Sequence, residues 1–318
     1  MQKLFKDLNI VVIGGGTGLS TLLRGLKYET SNIAAIVTMA DDGYSSGQLR
    51  REFHILPPGD IRNCIVALSN EEELYEKIFT YRFPHGRGLK GHNLGNLILT
   101  ALEDITGSFR MAIQEMSRIL NIKGKVLPST YDDVILSARL ANGRTVWGQR
   151  AINNGGHRSP IREVKLHPEE AKANPEACKA IRQADVILIG PGSLYTSIIP
   201  NFLFSEITDE VTKSKARKIY ICNVSTERGE TENYSVDDHI NTLIGQTSPK
   251  IMDTVLVNSK IVLKSSGKRL GEVQNITTDK NNINGCEIIT ADLIDHSSPL
   301  YHDSKKLVQV LTKILNKK

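Results

Sequence analysis

The chain has 318 residues, of which 40% are hydrophobic and 24% charged, and its formal net charge is +5. This composition is typical of a soluble globular protein, and the weak charge with only 5% aromatic residues argues against nucleic-acid binding. No apolar run approaches the roughly 20 residues that cross a bilayer, and no CxxC pair suggests a zinc or redox site. We therefore expect a cytoplasmic protein without a signal peptide or membrane span, and the charge is compatible with an anionic small-molecule ligand.

The first third of the chain predicts alternating strands and helices. Apolar runs at residues 10–13 and 33–39 indicate strands on either side of a helix at 19–26, which together form a βαβ unit. A polar loop is expected at 40–58, followed by a helix capped by Asp60. Further helices are predicted at 71–81, 94–105 and 108–120.

Residues 123–165 change character, because Asn142 and Gly143 stand between two alternating runs, a strong β-hairpin signal. Helices are then predicted at 169–182, 207–214, 236–244 and 303–315, with strands at 186–189, 218–222 and 254–257. The pattern predicts one α/β domain over 1–318. We expect a Rossmann-like parallel sheet flanked by helices, built from roughly 1–122 and 166–318, with a small added α+β lobe from roughly 123–165.

A glycine-rich loop follows the first predicted strand in the stretch NIVVIGGGTGLS. A strand, a glycine turn and a helix N-terminus form an anion site, because backbone N–H groups and the helix dipole point at the ligand. The third glycine of the dinucleotide fingerprint and the lysine of a P-loop are both absent, so a plain tight turn stays open as the alternative. The candidate binding residues are Gly14, Gly15, Gly16, Thr17 and Gly18.

A second glycine loop follows the predicted strand at 186–189, in the stretch VILIGPGSLYTSI. Its neutral hydroxyls and exposed N–H groups are able to hold a phosphate without a lysine. The candidates here are Gly190, Pro191, Gly192, Ser193, Thr196 and Ser197. We predict that the two loops form two walls of one crevice, which requires Gly15 and Ser193 at the same end of the sheet.

Other polar residues follow predicted strands or open predicted helices. Asp41 and Asp42 stand after the second strand, where a carboxylate can hold ribose hydroxyls or a Mg²⁺ ion, although Asp-Asp-Gly is also an ordinary turn. Arg62 is a candidate phosphate fork and His92 a candidate acid or base, with a capped helix start and an unremarkable loop histidine as the alternatives. The remaining candidates are Ser45, Asn63, Asn93, Asn96, Asn223, Thr226 and Glu230.

Five stretches together resemble the bacterial gluconeogenesis factor family, which is related to the CofD-type 2-phospho-L-lactate transferases. They are GGGTGLSTLLRGLK, VTMADDGYSSGQLRREFHILPPGDIRNCIVALS, GHNLGNLIL, DVILIGPGSLYTSIIPN and CNVSTERGETENYSVDDHI. The resemblance covers nearly the whole chain and implies a Rossmann-like core with an added lobe that binds a UDP-sugar, notably UDP-N-acetylglucosamine. It also implies a role in growth on gluconeogenic carbon sources and in cell shape and wall synthesis.

Carried over by position, the resemblance places both glycine loops, Asp41, Asp42 and residues 92–96 along a nucleotide crevice. Asn223 and residues 226–231 would complete it. Tyr301 departs from the family, in which we expect an arginine associated with UDP-sugar binding. Ser304 keeps a hydroxyl where relatives can be phosphorylated.

Three functions remain as hypotheses. The first is a nucleotide-sugar-binding regulator, for which a regulatory protein partner and a homo-oligomer are both open. The second is a phospholactate transferase that uses a guanosine nucleotide and Mg²⁺. The stretch DDGYSSGQLRREFHILPPGDIRN argues against it, because this stretch departs from the segment expected in transferases. The third is an NAD(P)-dependent oxidoreductase, which the βαβ unit favours and the missing third glycine disfavours.

Overall fold

An eight-stranded sheet lies at the centre of the computed structural model, which describes residues 5–70, 73–156, 159–262 and 273–316. Its strands are β1 (Ile10–Gly14), β2 (Ile33–Val37), β3 (Lys125–Pro128), β7 (Val186–Ile189), β8 (Arg217–Ile221), β9 (Thr254–Asn258), β10 (Asn282–Ile283) and β11 (Cys286–Ala291). A smaller sheet contains β4 (Ile135–Leu140), β5 (Thr145–Trp147) and β6 (Ile161–His167). The helices are α1 (Gly16–Leu26), α2 (Tyr44–Phe53), α3 (Gly59–Leu68), α4 (Glu73–Thr80), α5 (Leu94–Thr106), α6 (Phe109–Ile119), α7 (Gln149–Gly156), α8 (Pro175–Arg182), α9 (Ile199–Phe202), α10 (Ser205–Lys213), α11 (Val236–Gln246) and α12 (Ser304–Asn316). None of these described helices has the length and apolarity that a membrane crossing requires.

The order of strands in the large sheet is β10-β11-β9-β8-β7-β1-β2-β3, and all neighbours are parallel except β10 and β11. The chain runs outward from β1 through β2 to β3, then places β7 on the other side of β1 and continues outward through β8 and β9. The direction therefore reverses between β1 and β7. Ligand crevices form at such a switch point, beyond the carboxyl ends of the strands. The predicted Rossmann-like parallel sheet is confirmed.

The central strands are buried on both faces. Every residue of β1, β7 and β9 is buried, as expected of parallel strands that carry helices on both sides. Val12 in the middle of β1 pairs with Ala35 on one side and with Leu188 on the other. Each such buried side chain contributes about 1.5–3 kcal/mol. The loops after β1 and β7 therefore start from firmly held strands.

The smaller sheet has the order β5-β4-β6, and its neighbours are antiparallel. Gly143 has a φ of +83° in the turn between β4 and β5, and the predicted hairpin is confirmed. β3 lies inside the range assigned to the lobe from sequence, but it pairs with β2 in the large sheet. The antiparallel part therefore begins after β3, and it also contains α7, which no local sequence pattern marked.

Several other helices differ from the sequence-based expectation, among them α2, α1 and α8. The predicted polar loop at 40–58 contains α2, a helix that no side chain caps. α1 begins earlier than predicted, at Gly16, because the glycine loop itself forms the first turn of the helix. α8 begins later than predicted, at Pro175, because the Asn174 side chain caps it there.

Asp60 is not the N-cap of its helix, which corrects the prediction from sequence. α3 begins at Gly59, Pro58 holds the cap position, and Asp60 lies in the first turn. Its carboxylate accepts a hydrogen bond from the N–H of Gly16 in the first glycine loop, at 2.7 Å. Asp60 thus supports the candidate site instead of the start of its own helix.

Candidate functional site

The two glycine loops lie against each other at the carboxyl edge of the large sheet. Because β1 and β7 are parallel neighbours, the loops that follow them leave the sheet at the same end. A β-carbon added to Gly18 would lie 2.6 Å from the carbonyl oxygen of Pro191, and one added to Gly192 would lie 3.1 Å from the carbonyl oxygen of Gly15. A side chain at Gly18 would therefore force the loops apart. Gly15 and Ser193 line the same cavity, which confirms the predicted pairing of the loops.

A cavity of about 420 Å³ opens between the loops and extends toward the end of β8 and the segment before α12. The glycine-loop residues in its wall are Gly15, Gly16, Thr17, Gly18, Pro191, Gly192, Ser193 and Ser197. The other residues in its wall are Thr21, Gln149, Asn223, Val224, Ser225, Thr226, Glu227, Arg228, Val273, Leu300, Tyr301 and His302. The structure thus brings together both predicted loops with Asn223 and Thr226.

Asn223 fixes the second loop from the end of β8. Its Oδ1 accepts a hydrogen bond from the Gly192 N–H at 3.1 Å, and its Nδ2 donates to the Gly192 oxygen at 3.0 Å. Thr226 is held in a similar way, since its N–H donates to the Gln274 carbonyl at 2.8 Å and its Oγ1 accepts from the Gln274 N–H at 2.9 Å. Both side chains therefore hold the cavity wall in place, and the second loop is pre-organised before any ligand arrives.

The first turn of α1 supplies backbone donors to the cavity. The first N–H groups of a helix have no acceptor within the helix, and in α1 these belong to Gly16, Thr17 and Gly18. The Gly16 N–H donates to Asp60 at 2.7 Å, so the N–H groups of Thr17 and Gly18 remain for a ligand in the cavity. Two such N–H groups at the positive end of a helix dipole favour an anion such as a phosphate.

Asp60 places a titrating carboxyl beneath the first loop. Burial, and next the charge of Asp41, raises the pKa of Asp60 to about 7. The Gly16 N–H, Arg62 and Asn63 act in the opposite direction and do not outweigh the burial. In an unfolded chain an aspartate ionises near pH 3.9. Asp60 therefore keeps its proton in the folded protein over a pH range in which the unfolded chain has lost it.

Replacing Asp60 with asparagine is expected to remove part of the pH dependence of stability. Since the folded protein binds one more proton than the unfolded chain between about pH 4 and pH 7, the free energy of unfolding of the wild type falls as the pH rises through that window. Asparagine still accepts from the Gly16 N–H and places no charge beside Asp41. Urea unfolding near pH 5 and near pH 8 should show the stability advantage of the wild type over Asp60→Asn shrinking as the pH rises.

The matched control for this experiment is Asp209→Asn, which changes an exposed carboxylate of α10 that pairs with Lys213. Its difference from the wild type should change little with pH, because exposed pairs contribute about 0–1 kcal/mol. A wild-type advantage over Asp60→Asn that grows from pH 5 to pH 8 would contradict the raised pKa of Asp60.

A second buried carboxyl, that of Glu230, holds the helical turn that follows the second loop. Its oxygens accept hydrogen bonds from the Tyr195 N–H at 3.1 Å and from Thr196 Oγ1 at 2.6 Å. Burial, and next the charge of Glu227, raises the pKa of Glu230 to about 8. Glu227 in turn accepts a hydrogen bond from Ser193 Oγ at 2.8 Å. The Glu230 carboxyl therefore occupies the start of this helical turn, and Glu230 does not line the cavity.

Ser45, His92, Asn93 and Asn96 form a separate buried cluster between α2 and α5. Ser45 Oγ accepts hydrogen bonds from the Asn93 N–H at 3.3 Å and from Asn96 Nδ2 at 3.2 Å, and it lies 3.4 Å from His92 Nδ1. Asn93 also caps α5 by accepting from the Asn96 N–H at 3.1 Å. None of the four lines the cavity. The cluster docks α5 on α2, and its geometry gives no support to an acid or base role for His92.

Asp41 and Asp42 have different neighbours and neither lines the cavity. Asp41 accepts a hydrogen bond from the Gly43 N–H at 2.7 Å and lies beside α3. Asp42 accepts from the Arg150 N–H at 3.0 Å, in the first turn of α7. Among the residues that the structure describes, no group of three or more His, Cys, Asp or Glu side chains is arranged to hold a metal ion.

Arg62 does not face the cavity either. Its guanidinium is buried and donates to the Phe79 carbonyl at 3.2 Å, and burial lowers its pKa to about 10. Asn63 forms a side-chain hydrogen bond with Asp60. Arg62, which was predicted to bind a phosphate, is therefore part of the packed scaffold beneath the first loop and not of the cavity wall. Gly14, Gly190 and Thr196 are buried behind the loops.

Sequence inspection did not predict several residues of the site. Gln149 belongs to α7 of the lobe, and Leu300 and His302 come from the segment before α12. Tyr301 entered only through the family resemblance. No local pattern marks these positions, because they reach the cavity through the tertiary fold.

A doubly wound parallel sheet whose two glycine loops share one cavity at the switch point defines a Rossmann-like α/β protein. The family profile described as 2-phospho-L-lactate transferase CofD matches residues 10–294. The gluconeogenesis factor of Bacillus subtilis is 46% identical over 96% of this chain and 98% of its own. The gluconeogenesis factor of Halalkalibacterium halodurans is 42% identical over 96% of each chain.

Solved structures agree with these relatives. A crystal structure of a Bacillus halodurans protein is 42% identical, with a TM-score of 0.90 over 98% of this chain and 99% of that chain. A second structure from that organism, titled as a member of the UPF0052 family, has a TM-score of 0.88 over 100% of both chains. The chain therefore belongs to the gluconeogenesis factor family, which shares the CofD fold.

Proposed function

We propose that this protein is a regulator that binds a nucleotide sugar of the UDP-N-acetylglucosamine type in the cavity between its glycine loops. The observation that carries the proposal is the contact of the two loops at the switch point, where they open on a cavity of about 420 Å³. Ligand pockets of small molecules have volumes of about 300–1,000 Å³. The cavity is thus of a size that suits one nucleotide-sized ligand.

The chemistry of the loops favours a diphosphate. Thr17 and Gly18 offer backbone N–H groups at the start of α1, and Ser197 offers a hydroxyl. Arg228 is the one cationic side chain among the described residues of the wall, so the negative charge would be met chiefly by backbone and hydroxyl donors. Such donors are fixed in place by Asn223 and Asp60, which lowers the cost of ordering them around a ligand.

The names of the relatives, gluconeogenesis factors, support a role in growth on gluconeogenic carbon sources. The resemblance of the five sequence stretches extends the proposal to cell shape and wall synthesis. In growth on gluconeogenic carbon sources and in cell shape and wall synthesis, the occupancy of the cavity by its ligand would be the signal. A regulator of this kind requires binding and no bond breaking. This matches a cavity in which His92, Asp41 and Asp42 take no part.

Calorimetric titration with UDP-N-acetylglucosamine tests the proposal. We expect saturable heat with one site per chain and a rise of the thermal midpoint, because a ligand that binds only the folded state stabilises it. UDP and GDP in parallel titrations show which base and which sugar contribute. The absence of both binding heat and a thermal shift at millimolar ligand would overturn the proposal.

The description of the matching family profile provides a second candidate, a transferase of phospholactate. This function predicts that the protein forms product from a guanosine-nucleotide-activated phospholactate donor and a deazaflavin acceptor. Chromatographic detection of the phosphorylated deazaflavin product would favour it. Binding of GDP without any product, together with tighter binding of UDP-sugars, would exclude it in favour of the regulator.

A further inference from the structure

The part of the cavity wall that the glycine loops do not form carries a carbon-rich patch. Val273, Leu300 and Tyr301 lie there beside His302. Tyr301 is 57% exposed, and its ring is the one phenol or phenyl ring among the described residues of the wall. A planar base gains about 1–3 kcal/mol by stacking on an exposed aromatic ring. This patch therefore suits a nucleobase, whereas the glycine loops suit its phosphates.

The cavity extends away from the position in which a standard dinucleotide fold holds its ribose. That position lies after β2, but Asp41 and Asp42 are engaged with the Gly43 and Arg150 N–H groups and do not line the cavity. On the β8 side the wall continues from Asn223 to Arg228 and on to residues 300–302. A ligand with its diphosphate on the loops thus has room for its base on the β8 side.

His302 is held in one protonation state and one tautomer. Its Nε2 lies 3.2 Å from the carbonyl oxygen of Cys222, which can only accept, so Nε2 carries the hydrogen. Burial lowers the pKa of His302 to about 4, and the ring is therefore neutral near pH 7. Nδ1 is then left with a lone pair, and no described residue forms a hydrogen bond with it. The ring presents a fixed acceptor on the wall of the cavity.

We infer that His302 Nδ1 accepts a hydrogen bond from the ring N–H of a base stacked on Tyr301, and so selects uracil and guanine over cytosine and adenine. On the Watson–Crick edge, uracil and guanine carry a ring N–H, whereas cytosine and adenine carry an acceptor nitrogen. Two facing acceptors lose the hydrogen bond and leave a buried polar group unpaired. The inference rests on the proposed nucleotide function and specifies the class of base that the site takes.

The ratio of the dissociation constants for CDP and UDP tests base recognition directly, because the two ligands share ribose and diphosphate. We expect wild-type protein to bind UDP about 30-fold more tightly than CDP, the size of one buried hydrogen bond. His302→Phe keeps a ring of similar shape without the acceptor. It should lower the ratio to about 3 or less, mainly by weakening UDP.

Three further variants separate recognition from general damage. Tyr301→Ala, at an exposed position, should weaken UDP and CDP by about tenfold each and leave their ratio unchanged. His302→Gln retains a donor for the Cys222 carbonyl and an acceptor oxygen, and it should keep a preference of about tenfold if His302→Phe does not fold. His296→Phe, at an exposed histidine outside the cavity wall, should leave both affinities unchanged.

The outcomes distinguish this inference from the function on which it rests. A wild-type ratio near one, or a ratio that no His302 variant lowers, overturns base recognition by His302 and leaves nucleotide binding intact. Failure of the wild type to bind any nucleotide overturns the proposed function and this inference with it. Nitrogen-15 NMR of the histidine rings provides an independent readout. We expect the neutral Nε2–H tautomer of His302 from pH 6 to pH 8, and an Nδ1–H tautomer or an imidazolium would overturn the assignment.

Discussion

Replacing Gly18 with alanine is expected to lower the affinity for a UDP-sugar by about 100-fold, because it separates the two glycine loops. The added β-carbon would lie 2.6 Å from the Pro191 oxygen, 2.8 Å from the Pro191 carbonyl carbon and 3.0 Å from the Gly192 nitrogen. These are backbone atoms, so a rotamer change cannot relieve the clash and one loop must move. A misplacement of about 1 Å costs on the order of 100-fold in a catalytic site, and we expect a loss of the same order in a pre-organised binding site. Overpacking of this kind also destabilises by about 1–3 kcal/mol.

The matched control is Gly245→Ala, which makes the same chemical change on α11. No atom lies within 4 Å of the added β-carbon there, and Gly245 is outside the cavity wall. Alanine in a helix is more favourable than glycine by about 1 kcal/mol, so this variant should be as stable as the wild type or more so and should bind normally. Calorimetric titration with UDP-N-acetylglucosamine and urea unfolding measure both effects. Wild-type affinity in a folded Gly18→Ala protein would show that contact of the loops is not needed for binding.

The large sheet was predictable because parallel strands buried on both faces leave an unambiguous apolar run. The strand at 186–189 has the bounds predicted from sequence, and β1 extends the predicted strand by Gly14 alone. α2 was missed because its polar residues resemble those of a loop and no side chain caps it. α7 was missed for a different reason: the Asp42 carboxylate that accepts from its first turn lies in the loop between β2 and α2, far away in sequence. Local patterns do not record such a partner.

The residues of the candidate site were likewise predictable only where the local sequence determines their position. The glycine loops were predictable because a strand, a glycine turn and a helix start follow one another in the sequence, and the likeness of the two loops suggested that they share one crevice. Sequence did not show that Arg62 is directed at the Phe79 carbonyl or that Ser45 and His92 dock one helix on another. Those side chains have the polarity of a binding site, yet tertiary packing buries them in the scaffold. His302 was missed because the Cys222 carbonyl that holds its ring lies at the end of a distant strand.

Replacing Glu230 with alanine is expected to destabilise the protein by about 2–5 kcal/mol. The Tyr195 N–H and the Thr196 hydroxyl would lose their acceptor in a buried environment, and each unsatisfied group costs about 1–3 kcal/mol. The turn that carries Ser197 would lose its anchor, so affinity for a UDP-sugar should fall by more than about tenfold, since a displacement of about 1 Å costs up to about 100-fold. Glu230→Gln retains an acceptor for the Tyr195 N–H and can donate to Thr196. It should therefore cost only about 1 kcal/mol near neutral pH.

The deficit of Glu230→Gln should also change with pH in one direction. The pKa of Glu230 is raised to about 8 in the folded protein, against about 4.3 in an unfolded chain, so wild-type stability falls as the pH rises between these values. Glutamine has no proton to lose. The deficit of the variant should therefore be largest near pH 5 and smallest near pH 9, as measured by urea unfolding. Glu163→Gln, which changes a partly exposed ion pair with Arg139, is the control and should differ from the wild type by about 0–1 kcal/mol at both pH values. A deficit that increases toward pH 9, or a Glu230→Ala protein as stable as the wild type, would show that this carboxyl does not hold the second loop.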